Sequence, residues 1–198
     1  MTEIKRPVFF SGENPAMTLY DLERETVQVI ASFWLCSDGP HGPGQALVLW
    51  CSDPALPSAI YTPNPALAQA LVHDLVRHFP EFEGCPVENL PYRPAALQHH
   101  FDGNCYTVLC QAGEDALKLE WIEPLDCKQL LWPGFPAGDA TYDLSTVLRP
   151  CRTGRLTVNG EISPAQAATG QNAEGRLSSS AFLAFAETWV GPLPQAGE

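Results

Sequence analysis

Long apolar runs are missing from this sequence. No stretch of about eighteen apolar residues occurs, so a membrane span is not expected. Basic residues are also scarce. The 11 Lys and Arg residues are outnumbered by 23 Asp and Glu, for a formal net charge of -12. Such an excess repels phosphates over most of a surface, which argues against nucleic acid or an anionic lipid surface as partner. The seven cysteines include no CxxC pair. Their odd number and scatter argue against a disulfide frame or a zinc site, and they read as small buried hydrophobes. The GxSxG, P-loop and HExxH motifs are absent, as is GxGxxG after a strand. This disfavours the common hydrolases, NTPases and dehydrogenases, and no metal or cofactor is expected. No βαβ alternation appears, which disfavours Rossmann and TIM architectures. Met1–Pro7 is not followed by a signal-type apolar segment, so the expected location is cytoplasmic.

What is present is core material. Hydrophobic residues make up 45% of the 198 and charged residues 17%, enough for one domain burying roughly 70% of its unfolded surface. The 19 prolines fall between apolar runs and punctuate loops and strand ends. One segment reads as a convincing helix, 65–79. Asn64 is a suitable N-cap and Pro65 suits the first helical position. Leu67, Leu71, Val72, Leu75 and Phe79 form an apolar stripe, and Pro80 stops the helix.

The rest reads as strands. In Thr26–Leu35, Val27, Val29, Ala31, Phe33 and Leu35 share one face and Thr26, Gln28, Ile30, Ser32 and Trp34 the other, whereas Gln45–Cys51 and Ser179–Val190 are apolar on both faces. Gln45–Cys51 pairs with Thr26–Leu35 across a glycine- and proline-rich loop. Asn104–Cys110 and Ala116–Ile122 form a hairpin, with Lys118 and Glu120 facing water. Asn159-Gly160 is the strongest two-residue turn signal. Glu81–Pro94 shows no period and no core face, and is read as a surface loop or lid. A flexible loop is expected over 164–178, and a flexible tail over 191–198. The fold class is therefore α+β, mostly antiparallel β: a strongly bent sheet or barrel, with the helix packed on it or capping it.

Four groups of residues are candidates for chemistry. In Gln98–Asp102, His99 and His100 point to opposite sides of a strand. Either would serve as a base near neutral pH, with Asp102 as its orienting acid; the alternative is two partly exposed histidines at a strand end. Strict alternation in Ala181–Val190 puts Glu187 on the face of Leu183, Phe185 and Trp189. A carboxylate there is costly unless paired or protonated, which suits a general acid or a ligand contact. The alternative is an outer-face acid beside an arginine. Arg149, Arg152 and Arg155 would form an anion-binding patch if they converged, or a solvated hairpin end if not. Trp34, Trp50, Trp121, Trp132, Trp189, Phe33, Phe182 and Phe185 would line a cavity for an apolar ligand, or simply fill the core.

Three functions follow from these features. The first is binding of an apolar or amphipathic small molecule inside the sheet. The second is an isomerase, lyase or hydrolase using His99 or His100 with Glu187 or Asp102 in the same cavity. The third is a non-catalytic interaction protein whose acidic surface or strand edge meets a partner, including a second copy of the chain.

Overall fold

The computed structural model describes residues 6–137, 140–171, 173 and 175–191. One long sheet dominates it. In chain order its strands are β1 (Val8–Glu13), β2 (Ala16–Tyr20), β3 (Val27–Asp38), β4 (Gly44–Cys51) and β5 (Ala59–Thr62). After the helix α1 (Pro65–Asp74) come β6 (Tyr92–Pro94), β7 (Ala96–Phe101), β8 (Cys105–Ala112), β9 (Asp115–Pro124), β10 (Lys128–Ala137) and β11 (Ala140–Val158). The last are β12 (Glu161–Ile162), β13 (Gln166–Ala167), β14 (Thr169–Gln171), β15 (Leu177–Ser179) and β16 (Ala181–Val190). The main path runs β6-β5-β4-β3-β1-β16-β11-β9-β8-β7, with β10 and β12 on β11, and β2 against β3, β13 and β16. Among the described pairs only β5–β6 is parallel. The two end strands, β6 and β7, are separated in the chain by Ala95 alone. The sheet is therefore strongly curled, with its ends brought together by one continuous segment.

Curling buries both faces of β3, β4 and β5, whereas β8 keeps one face exposed. Val29, Ala31 and Phe33 of β3 join Leu47, Tyr106, Val108, Leu119, Trp121 and Leu183 in one core on the concave side. Ile30 and Trp34 join Val48, Ile60 and the helix residues Leu67, Leu71 and Val72 in a second core on the convex side. The concave side is packed with contiguous side chains. Glycine permits the closest backbone approaches. A Cβ on Gly12 would lie 1.8 Å from the Leu35 carbonyl oxygen, and one on Gly154 would lie 2.9 Å from Leu19 Cδ2.

The helix is capped as its sequence requires. Asn64 Oδ1 accepts from the Leu67 N–H at 3.2 Å, and Pro65 opens the first turn. Regular α-helix stops at Asp74, earlier than the apolar stripe suggests, and Val76–His78 continues as a 3₁₀ turn. That turn keeps Leu75 and Val76 buried and brings Phe79 to the convex core. Glu81–Pro94 has a core face after all. Two short 3₁₀ turns bury Phe82 and Val87, and Leu90 is buried beside them. Irregular segments hide such a face because their buried positions follow no fixed period.

Within 164–178, β13 pairs with β2 and β14 with β15. Of the tail expected over 191–198, all but Gly191 lies outside the described residues. Among the described residues no helix is long and apolar enough to cross a membrane.

Candidate functional site

Strict alternation fails at one point in β16, and the site is built there. Ser145 pairs with Thr188, but Val147 pairs with Phe185. Ala186 and Glu187 thus oppose the single residue Thr146, which is a β-bulge. Ala186 takes φ 49°, a left-handed conformation rare for alanine. Leu183 and Phe185 stay on the concave side. Glu187 and Trp189 are turned to the convex side, where Trp189 packs with Phe10 and Leu144. The alternation reading of Glu187 is corrected accordingly: it does not share a face with Leu183 and Phe185. The sequence carries no bulge signal here, because the usual marker is glycine and this residue is alanine.

The turned side chain lines a half-open cavity of about 220 Å³ between the convex face, the Pro80–Phe82 turn and the β10–β11 ribbon. Five aromatic residues wall it: Phe79, Trp132, Phe135, Phe182 and Trp189. The Phe135 ring lies 5.0 Å from both Trp132 and Trp189, and 5.8 Å from Phe79. Leu130, Leu144 and Leu148 complete the apolar lining.

Glu187 is 3% exposed. Its Oε1 accepts from Trp189 Nε1 at 2.7 Å and, more distantly, from Asn14 Nδ2 at 3.4 Å. Asn14 is itself buried and held by the Ser32 hydroxyl, which donates to its Oδ1 at 2.8 Å. Burial pushes the Glu187 carboxyl up to about 7, against the pull of these two donors, and the Glu81 carboxyl pushes the same way. Glu81 enters from the 3₁₀ turn over the cavity, and burial raises its carboxyl too. Oε1 already holds both donors, so the proton of a neutral Glu187 belongs on Oε2. Among the described residues Oε2 has no hydrogen-bond partner.

The other candidates lie elsewhere. His99 sits at the concave side, its ring 5.9 Å from Phe33 and stacked 6.1 Å from Tyr106. Its Nδ1 is 3.4 Å from Gln45 Nε2. The Tyr106 hydroxyl donates to Glu13 Oε2 at 2.7 Å, and burial raises its ionisation well above the ordinary value. His100 is exposed. Asp102 caps the β7–β8 turn, accepting from the backbone N–H groups of Cys105 and Asn104, which hold its carboxyl low. The structure does not bring either imidazole into one concavity with Glu187, because the bulge sends Glu187 through to the opposite face.

Of the three arginines, Arg152 and Arg155 line one half-open cavity of about 540 Å³ together with Arg24, and Arg149 is not among its lining residues. Arg152 pairs with Glu123 at 2.7 Å and Arg155 with Glu120 at 3.5 Å. Glu120, expected in water, is 8% exposed and also takes Lys118 at 2.7 Å. Arg149 lies beside Leu183 in register, with its guanidinium carbon 5.8 Å from the Phe101 ring centroid. Of the aromatic candidates Trp132, Phe182 and Trp189 line the Glu187 cavity. Trp34 and Trp121 are fully buried in the two cores, with Trp121 Nε1 donating to Ala16 O at 2.8 Å. Phe185 packs at the edge of the concave core, and Trp50 is half-buried against the convex one. Sequence reasoning missed Asn14, Phe79, Glu81 and Phe135 as site residues. Only the lid reading of Glu81–Pro94 hinted at one of them. Four of the seven cysteines are buried, Cys85 and Cys105 are half-buried, and Cys127 is exposed. No three of His, Cys, Asp and Glu converge as a metal site among the described residues.

No family model matches this chain, and no curated protein matches it. Its fold is weakly similar to two solved structures. One is an acetoacetate decarboxylase, 11% identical, with a TM-score of 0.43 over 96% of this chain and 88% of that one. The other is the acetoacetate decarboxylase of Legionella pneumophila subsp. pneumophila str. Philadelphia 1. It is 12% identical, with a TM-score of 0.39 over 96% of this chain and 86% of that one. Likeness at this level assigns no residue a role.

Proposed function

We propose that this protein binds a small amphipathic molecule in the cavity lined by Glu187. A single observation carries the reading: a nearly inaccessible carboxyl, raised to about 7, faces an aromatic-walled space. A buried ionised acid is destabilising unless it is paired and hydrogen-bonded, and strongly raised carboxyls cluster at functional sites. The cavity volume limits the ligand. A cavity of about 150 Å³ holds benzene, so 220 Å³ accommodates a buried portion of about nine non-hydrogen atoms by the same scale. Larger ligands would have to leave part of themselves outside.

The candidate site sits on the convex side under the Pro80–Phe82 turn, while the concave side is packed.

An enzymatic reading has its own support. A carboxyl that titrates near neutrality is suited to give and take a proton at physiological pH. Glu81 supplies a second acid over the same space. This reading favours proton-transfer chemistry of the isomerase or lyase type on Glu187, without the histidines.

Both readings require occupancy. Aromatic fragments of about eight non-hydrogen atoms, titrated into the full chain, should shift the indole N–H resonance of Trp189 saturably. Replacing Phe135 with alanine should weaken that response. A set of neutral, cationic and anionic fragments that leaves the Trp189 resonance unmoved would refute the proposal.

A further inference from the structure

The cavity holds two carboxyls and no cation. Glu81 and Glu187 are its titratable lining residues, and none of the lining residues is Lys, Arg or His. Its remaining polar side chains are committed. Asn14 is engaged by Ser32 and Glu187, the Thr146 hydroxyl donates to the Phe185 carbonyl, and the Trp189 N–H donates to Glu187. When Glu187 is ionised, the unfilled capacity is therefore that of acceptors. Around it stand five rings whose faces carry negative partial charge and attract cations.

We propose that the ligand is a small organic cation, an ammonium attached to an aryl or alkyl body. Its N–H donors meet Glu187 Oε2, and its apolar part lies among Phe79, Trp132, Phe135, Phe182 and Trp189. This deepens the binding reading above and rests on it.

Charge decides between ligand classes. An anion would face two carboxyls inside a molecule of net charge -12. A purely apolar ligand would leave Oε2 buried without a partner, a cost that a donor removes. An ammonium supplies both a charge and donors, and charge-assisted hydrogen bonds are the stronger kind. The titration of Glu187 agrees with this role, because an entering cation favours the ionised carboxyl. Glu81 is the titratable group that faces Glu187 from the covering turn. The segment before β2, together with β10 and β11, contributes Asn14, Trp132, Thr146 and leucines.

The test uses three near-isosteric probes on the full chain: benzylamine as its ammonium, benzyl alcohol and benzoate. Each is titrated at pH 6 and pH 8 while the Trp189 indole N–H is followed. Benzylammonium should bind about tenfold tighter than benzyl alcohol at pH 8, the scale of one charge-assisted contact. Its affinity should fall about tenfold at pH 6, following the ionised fraction of a carboxyl that titrates near 7. Benzoate should not bind. Glu187→Gln should erase the preference for the ammonium while still admitting benzyl alcohol. If benzyl alcohol binds as tightly as benzylammonium at both pH values, the cation assignment is overturned and the small-molecule reading survives. If no probe saturates the resonance, both fail.

Discussion

Replacing Glu187 with glutamine should stabilise the protein at alkaline pH and leave it nearly unchanged at acid pH. Glutamine has the shape of the protonated carboxyl and keeps an oxygen for the Trp189 N–H, but it cannot ionise. The folded-state carboxyl titrates at about 7 against an ordinary 4.5. Between those values the folded chain binds more protons than the unfolded chain, so stability falls as pH rises through this window. At about 1.4 kcal/mol per pH unit, the full effect is about 3 kcal/mol, present above pH 7 and absent below 4.5. The Glu187→Gln advantage should therefore grow by about 3 kcal/mol between pH 4.5 and pH 8. Glu81, whose carboxyl is also raised, is present in both proteins and largely cancels. Urea unfolding of both proteins at half-unit pH steps measures the difference directly. A difference that stays flat, or that shrinks as pH rises, would refute the reasoning.

Other outcomes follow from the same geometry. Ala186→Gly should stabilise by up to about 1 kcal/mol, because glycine adopts the left-handed bulge conformation without the Cβ clash, less its greater freedom when unfolded; thermal melts check this. Ala186→Val should instead destabilise by about 2 kcal/mol and disturb the Trp189 indole resonance. Gly12→Ala should cost about 3 kcal/mol or more, since its Cβ would fall 1.8 Å from the Leu35 carbonyl oxygen. Loss of soluble folded protein, or a large drop in urea midpoint, would register it. Trp132→Ala should cost about 2 kcal/mol, because the residue is only 47% exposed and its ring packs on Phe135, and should weaken fragment binding several-fold in the Trp189 titration.

The sequence revealed the architecture better than the site. Two-sided apolar strands such as Gln45–Cys51 and Ser179–Val190 require cover on both faces, and the curled sheet with α1 supplies it. The Asn64 cap and Pro65 marked where the helix begins. Its end was less legible, because Leu75 and Phe79 keep helical spacing while the backbone tightens to a 3₁₀ turn. Glu187 was legible as an acid out of place, since a carboxylate among Phe185 and Trp189 violates the burial pattern. Its direction was not legible. One extra residue in β16 reverses the pleat, and alanine in the left-handed conformation leaves no mark in the sequence. Glu81 was hidden for a different reason: it reaches the cavity from an irregular turn, where no period assigns a face.

The most direct measurement is the pH titration of the Glu187 side-chain carboxyl carbon by NMR, assigned through Glu187→Gln. A midpoint near 7, moving downward when benzylammonium is added, is the expected result. A midpoint near the ordinary 4.5, unmoved by the ligand, would show a solvated carboxylate and contradict the buried, proton-carrying site.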